Sequence, residues 1–81
     1  MYLTKLEIKG PNYLSKYDIT VFASNEEPQV GEHCLIYRRW SDPICGIVVE
    51  KSKTYYRIHP GVVIHVMDVK ALYKIQTVLY E

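Results

Sequence analysis

The chain has 81 residues, of which 48% are hydrophobic and 23% are charged, and its formal net charge is +1 at pH 7. A chain of this length forms one domain, which buries roughly 60% of the surface that the unfolded chain exposes. The composition excludes a disordered chain. The small net charge excludes an acidic mimic of nucleic acid and a globally basic surface for nucleic acid or membranes.

Two strands are predicted in the N-terminal part of the chain. Residues 2–9 and residues 17–23 alternate between apolar and polar side chains, which is typical of a strand with one buried face. A Gly-Pro-Asn sequence at residues 10–12 separates the two strands, and a polar loop that ends at Pro28 follows them.

The segment from Gln29 to Val66 predicts a meander of short strands joined by turns of three to four residues. In the last of these turns, Pro60 and Gly61 suit the two central positions of a type II turn. The four strands are expected at residues 33–39, 44–50, 54–58 and 62–66.

A change of period after the meander predicts a short helix before the last strand. Asp68 belongs to the residue types that cap helix N-termini. Met67 and Leu72 stand where a hydrophobic staple would form. We therefore expect one or two helical turns, followed by a final strand at residues 75–80.

The turns of the meander sort its side chains into two faces, because residues opposite one another on neighbouring strands share a face. The pairs that we assume are Arg39–Ile44, Glu50–Thr54 and Ile58–Val62. The face that we assign to the core then consists of Leu35, Tyr37, Ile44, Val48, Tyr56, Ile58, Val62, Ile64 and Val66.

The second face of the meander is also largely apolar, although an antiparallel sheet normally presents a polar face to water. Its mixture of aliphatic side chains with arginine, tyrosine and histidine is typical of an interface. It either binds a partner or is covered by the N-terminal strands, and the sequence leaves both outcomes open. Its members are Cys34, Ile36, Arg38, Cys45, Ile47, Val49, Tyr55, Arg57, Val63 and His65.

Three features occur together in this part of the chain: the entry Val30-Gly31-Glu32, the run Gly46-Ile47-Val48-Val49, and a helical turn before the last strand. In these features the chain resembles the small β-barrels of the Src-homology, Tudor and KOW class. The resemblance implies a module that binds peptides, modified tails, other proteins or RNA and has no enzymatic activity. The predicted fold is mostly β, as a small antiparallel barrel or strongly bent sheet of five to seven short strands with one short helical turn near the C-terminus.

The chemically reactive side chains predict no catalytic, cofactor or metal site. His33, Cys34, Cys45, His59 and His65 carry atoms that bind zinc, but the chain has no Cys-x-x-Cys pair, and adjacent His33 and Cys34 point to opposite faces of a strand. The assumed register places Cys34 and Cys45 about 13 Å apart, beyond the about 7 Å that a disulfide allows. No nucleophile–base grouping or phosphate-binding glycine loop is indicated, so we expect no enzyme.

Arg38, Arg39 and Trp40 stand at the first turn of the meander and are the sharpest local feature. Arginine and tryptophan clamp phosphates and stack on bases, and the same residue types dominate protein-binding hot spots. The small net charge favours a protein partner. The predicted partner-binding residues are Arg38, Arg39, Trp40, Ile36, Ile47, Val49, Tyr55, Arg57, Val63 and His65.

The predicted function is that of a non-catalytic binding module that recognises a protein surface as an inhibitor or adaptor. The sequence shows neither a signal peptide nor a membrane-spanning run, so we expect a cytoplasmic protein. Compact chains of this kind are common among phage-encoded modulators of host proteins, and the usage of Tyr, Lys and Ile indicates an AT-rich genome. The alternatives are an RNA- or DNA-binding module of KOW type, and a homo-oligomeric structural subunit, such as a homodimer, whose apolar outer face is the self-contact.

Overall fold

A computed structural model describes residues 2–79 of the chain. It contains seven antiparallel strands in one sheet and a 3-10 turn at Val66–Asp68. The strands are β1 (Thr4–Ile8), β2 (Ile19–Ser24), β3 (His33–Arg38), β4 (Ile44–Lys51), β5 (Tyr55–His59), β6 (Val62–His65) and β7 (Val69–Leu79). The predicted mostly-β fold with one short helical turn near the C-terminus is confirmed. Residues 2–79 contain no helix of the length and apolarity that a membrane crossing needs.

The last strand joins two otherwise separate parts of the sheet, whose order is β1-β2-β7-β3-β4-β5-β6. β1 and β2 form one antiparallel pair, β3 to β6 form the meander, and β7 lies between β2 and β3 and pairs with both. β1 and β6 are the two edges, so within residues 2–79 the sheet is open rather than closed into a barrel.

β3 is buried on both of its faces, because the two ends of the sheet bend over opposite sides of it. Leu35 packs into a first core with residues of β1, β2, β4 and β7, which are Ile8, Ile19, Val21, Cys45 and Ile75. Cys34 and Ile36 pack into a second core with residues of β4, β5 and β6, which are Val48, Ile58 and Ile64. Each fully buried Ile or Leu contributes about 1.5–3 kcal/mol by leaving water.

The predicted pairing of β3 with β4 was wrong by three residues. Cys34 pairs with Gly46 and Leu35 with Cys45, whereas the prediction placed Leu35 opposite Val48. Because side chains alternate along a strand, an odd shift exchanges the faces of one strand relative to the other. The faces of β4, β5 and β6 were sorted correctly with respect to one another, and those of β3 were reversed.

The other two pairings of the meander follow the prediction in part. Ile58 pairs with Val62, as predicted. Val48 pairs with Ile58 and Glu50 with Arg57, and the register shifts between them, so Val49 stands in a β-bulge. The expected Glu50–Thr54 pair is therefore absent.

The turn between β5 and β6 differs from the predicted type II turn. The Gly61 N–H donates to the carbonyl of Ile58 over 2.8 Å, which makes His59 and Pro60 the two central residues. Gly61 follows them with a φ of +131°, a conformation that favours glycine.

The helix predicted after the meander is a strand for most of its length. The 3-10 turn ends at Asp68 and β7 begins at Val69, because β3 offers a hydrogen-bonding partner along residues 69–74 and β2 takes over from Lys74 onwards. Asp68 caps no helix and has another role, described below. The expected final strand starts six residues earlier than predicted, and its predicted last residue, Tyr80, lies outside the described residues.

Candidate partner-binding site

The turn between β3 and β4 is held by the backbone and side chain of Asp68, the last residue of the 3-10 turn before β7. The Arg39 N–H donates to the Asp68 carbonyl over 2.8 Å and to its Oδ1 over 3.0 Å. The Trp40 N–H donates to the same Oδ1 over 3.1 Å. On the other side of the turn, the Arg38 Nε donates to the Asp42 carbonyl over 2.8 Å. These bonds fix the backbone that carries Trp40.

Trp40 is 71% exposed, and the 3-10 turn beside it carries Met67, which is 73% exposed, and Val66, which is also exposed. The two turns are neighbours because Asp68, the last residue of the 3-10 turn, bonds directly to Arg39 and Trp40. We call Arg39, Trp40, Val66 and Met67 the Trp40 platform. Grouped exposed apolar side chains of this size mark interaction sites more often than scattered single ones.

Mixed charge surrounds the platform. Arg39 and Lys70 are exposed and basic, whereas Asp42 and Asp68 supply carboxylates on the same segments. The Asp68 carboxylate is engaged, because its Oδ1 accepts from two backbone N–H groups of the turn. The site therefore offers apolar contact with a rim of mixed charge rather than a strongly basic groove.

The outer face of β5 and β6 holds four of the predicted site residues. Tyr55 pairs with His65 and Arg57 with Val63, so all four side chains lie on one face, as predicted. Val63 and His65 are exposed, and the Arg57 Nε donates to Glu50 Oε1 over 3.0 Å. A shallow groove of about 180 Å³ runs over this face. Its lining includes Val49, Arg57, His59 and Val63.

Two of the predicted partner-binding residues, Ile36 and Ile47, do not lie on the open surface that was predicted for them. Ile36 is fully buried in the second core, so its placement on a partner-binding face was wrong. The reversed faces of β3 explain this error. Ile47 is half-buried, and it pairs with His33 on β3 and with His59 on β5. The Tyr13 ring packs against both imidazoles, with ring centroids 6.3 Å apart for His33 and 5.0 Å apart for His59.

The N-terminal strands cover part of the second face and leave the rest open. Over β3 and the start of β4, Leu35 and Cys45 pack under residues of β1 and β2. Over β5 and β6, Arg57, Val63 and His65 stay exposed. The continuous patch predicted from Ile36 to Val63 is therefore divided, and only its distal half reaches solvent.

A cavity of about 420 Å³ lies where the loop after β1 faces β3 and β4. Its lining includes Lys9, Asn12, Tyr37, Asp42 and Cys45. The polar groups of the loop already have partners: Asn12 Oδ1 accepts from two backbone N–H groups, and the Lys9 ammonium pairs with two carboxylates. The polar groups that the loop contributes to this cavity are therefore already engaged within the chain.

The two cysteines are free thiols that point to opposite faces, since Cys45 belongs to the first core and Cys34 to the second. The prediction that they share a face was wrong for the same reason as for Ile36. Burial raises the pKa of Cys34 to about 11 and that of Cys45 to about 12. Such thiols are protonated at neutral pH and are poor nucleophiles. Residues 2–79 contain no cluster of His, Cys, Asp and Glu suited to a metal ion.

We expect both thiols of the native protein to resist Ellman's reagent at pH 8. A pKa of about 11 in place of 9 lowers the thiolate fraction of Cys34 roughly a hundredfold, before burial slows access further. The two thiols should react together once urea unfolds the chain. Cys34→Ala and Cys45→Ala would identify each signal, and one thiol reacting in the native protein as fast as in urea would contradict the burial.

Comparison with protein-family models, with curated proteins and with solved structures found no match. The resemblance to the small barrels of the Src-homology, Tudor and KOW class stays a prediction. The sequence reasoning correctly placed Arg39 and Trp40 in an exposed turn, but it missed Val66, Met67 and Asp68 as their neighbours. The sequence feature that could have indicated these neighbours was Asp68, the first charged residue after an uncharged run. We interpreted Asp68 as the cap of a helix.

Proposed function

We propose that the chain is a non-catalytic binding module that recognises a protein surface through the Trp40 platform, as an inhibitor or adaptor. The observation that carries the proposal is an indole, 71% exposed, on a turn that three hydrogen bonds from Arg39 and Trp40 to Asp68 hold in place. Trp, Met and Arg are enriched at interfaces, and Trp and Arg are the commonest hot-spot residues. A fixed turn also loses less entropy on binding than a mobile one.

A protein partner fits the platform better than a nucleic acid. Val66 and Met67 add exposed apolar side chains on the 3-10 turn that Asp68 joins to the turn of Trp40, and Asp42 places a carboxylate in that turn. Nucleic-acid binding relies on several Lys and Arg side chains that contact phosphates, and the formal net charge of the chain is only +1. A cytoplasmic location, which suits two free cysteines, and a phage origin stay predictions that accompany the proposal.

The test is affinity capture from a cell lysate with the wild-type chain and with Trp40→Ala, each with and without nuclease. We expect a protein that survives nuclease and that binds Trp40→Ala at least about 30-fold more weakly once purified, the effect of a typical hot spot. The thermal midpoint of the variant should stay close to that of the wild type, because the indole is mostly exposed.

The matched control is Tyr17→Ala, which removes an aromatic side chain of similar exposure, 75%, just before β2. It should bind the captured protein as the wild type does. Equal affinity of Trp40→Ala and Tyr17→Ala would overturn the platform as the site. A bound species that disappears on nuclease treatment would instead support the nucleic-acid alternative.

A further inference from the structure

The hydrogen bonds of β6 determine which of its backbone groups face β5 and which face away. The Val66 N–H donates to the Thr54 carbonyl over 2.9 Å, at the end of the β5–β6 ladder. In an antiparallel ladder, bonded and non-bonded pairs alternate. The bonded pairs are therefore Thr54–Val66, Tyr56–Ile64 and Ile58–Val62.

Val63 and His65 belong to the alternate, non-bonded pairs, so their N–H and C=O groups point away from β5. A second hydrogen bond agrees with this assignment: the Tyr55 carbonyl, opposite His65, accepts from Ser52 on the β4 side over 2.9 Å. Among the described residues no strand lies beyond β6. The free side of β6 therefore presents two donors and two acceptors in a row.

The two edges of the sheet differ in how they discourage pairing with another chain. The β1 edge carries exposed Lys5 and Glu7, with Lys9 directly after it, and charged side chains on an edge disfavour such pairing. The segment 60–67, which includes β6, contains no Lys, Arg, Asp or Glu. Val63 is 48% exposed within this segment. The β6 edge has no protection of this kind.

We propose that β6 is a self-association edge, through which two copies of the chain pair antiparallel about a twofold axis at Ile64. In this register, Val63 of each copy lies opposite His65 of the other, and the two pairs exchange four N–H···O=C bonds. These bonds use every free N–H and C=O group of Val63 and His65. If the register shifts by two residues in either direction, either Val63 or His65 lies opposite the same residue of the second copy, and the other of the two lies opposite a turn residue. Only two such bonds then remain within β6.

The side chains around this axis are compatible with the pairing. The exposed Val63 side chain of each copy is covered by the imidazole of His65 from the other. The nearest charged group on the same face, Arg57, pairs with Val63 within its own copy and is neutralised by Glu50 at 3.0 Å. Like charges directly opposite one another would destabilise the paired strands, and none meet across this axis. A second copy is the occupant favoured here because the edge is complementary to itself and closes with twofold symmetry.

Purified chain alone tests this inference, which is independent of the Trp40 platform and of any partner captured by it. In sedimentation equilibrium the mass should rise with concentration from 9.5 kDa to twice that value. In hydrogen–deuterium exchange followed by NMR, the amides of Val63 and His65 should become protected over the same concentration range. The Ile64 amide, which is bonded to β5 in either state, should be protected throughout.

Two lysine substitutions separate the edge from the outer face. Val63→Lys places a charge on the edge and should raise the dimer dissociation constant at least about tenfold without unfolding the chain. Val49→Lys is the matched control, because Val49 is 45% exposed on β4, lines the same groove and lies away from the edge. It should change the dissociation constant by less than about twofold.

A chain that keeps a mass of 9.5 kDa at all concentrations, with the amides of Val63 and His65 exchanging freely, would overturn the inference. That outcome would leave the edge to a strand from another protein. A dimer that Val49→Lys dissociates and Val63→Lys does not would also overturn it, since the contact would then be the outer face.

Discussion

Gly46→Ala is expected to lower the free energy of unfolding by about 3 kcal/mol, the upper end of the usual cost of overpacking a core. Gly46 lies in β4 opposite Cys34, and a Cβ built on it meets the backbone carbonyl oxygen of His59 and lies 2.6 Å from Ile58 Cγ2. The carbonyl belongs to β5, so relief of the clash requires β4 and β5 to separate. A domain of this size has only about 5–15 kcal/mol of stability to lose. Urea unfolding followed by Trp fluorescence and circular dichroism would measure the change.

The control for this experiment is Gly31→Ala. Gly31 has a φ of +92°, and a Cβ built there meets nothing within 4 Å. Its replacement therefore costs only the backbone strain of a left-handed residue, about 1–2 kcal/mol. If Gly46→Ala unfolds at the same urea concentration as Gly31→Ala, the close approach of β5 to Gly46 does not limit the fold.

Ile36→Glu is expected to prevent folding at neutral pH. Ile36 is fully buried in the second core against residues of β4 and β5, and no basic group among the core residues could pair with the new carboxylate. An unpaired buried charge costs several kcal/mol or forces the carboxyl to stay protonated. Circular dichroism should show an unfolded chain at 25 °C.

Val49→Glu serves as the comparison for Ile36→Glu, because Val49 is 45% exposed in the β-bulge. We expect its stability to stay within about 0.5 kcal/mol of the wild type. A folded Ile36→Glu chain would return Ile36 to an accessible surface and restore the original assignment of the faces of β3.

The register of β5 and β6 could be predicted because a short local turn determines it. The reversal is closed within three residues by the bond from the Gly61 N–H to the Ile58 carbonyl, and the pair Ile58–Val62 follows. The register of β3 and β4 could not be predicted in this way. Its turn is held by Asp68, which is 29 residues from Arg39 in sequence, and no local pattern reports such a contact.

Non-local partners also explain the error in the C-terminal segment. Asp68 and Leu72 have the spacing of a helix start, but β3 pairs with the segment that follows Asp68 as far as Lys74, and β2 pairs with β7 from Lys74 onwards. This non-local pairing outweighs the stabilisation that a cap and a staple give to two helical turns. Of the Trp40 platform, the sequence indicated only Arg39 and Trp40. The 3-10 turn that carries Met67 comes beside their turn through the pairing of β7 with β3, which the local sequence does not show.

The position of β7 determines when the protein can become a domain during its synthesis. The ribosome completes the β1–β2 pair and the meander before it makes β7, and these two parts share no strand pairing until β7 enters between them. Until then, the edges of β2 and β3 are both open, and apolar edges of this kind associate with other chains. We therefore expect native structure to form only after residue 79 has left the ribosome, and the edges of β2 and β3 to stay open to association until then.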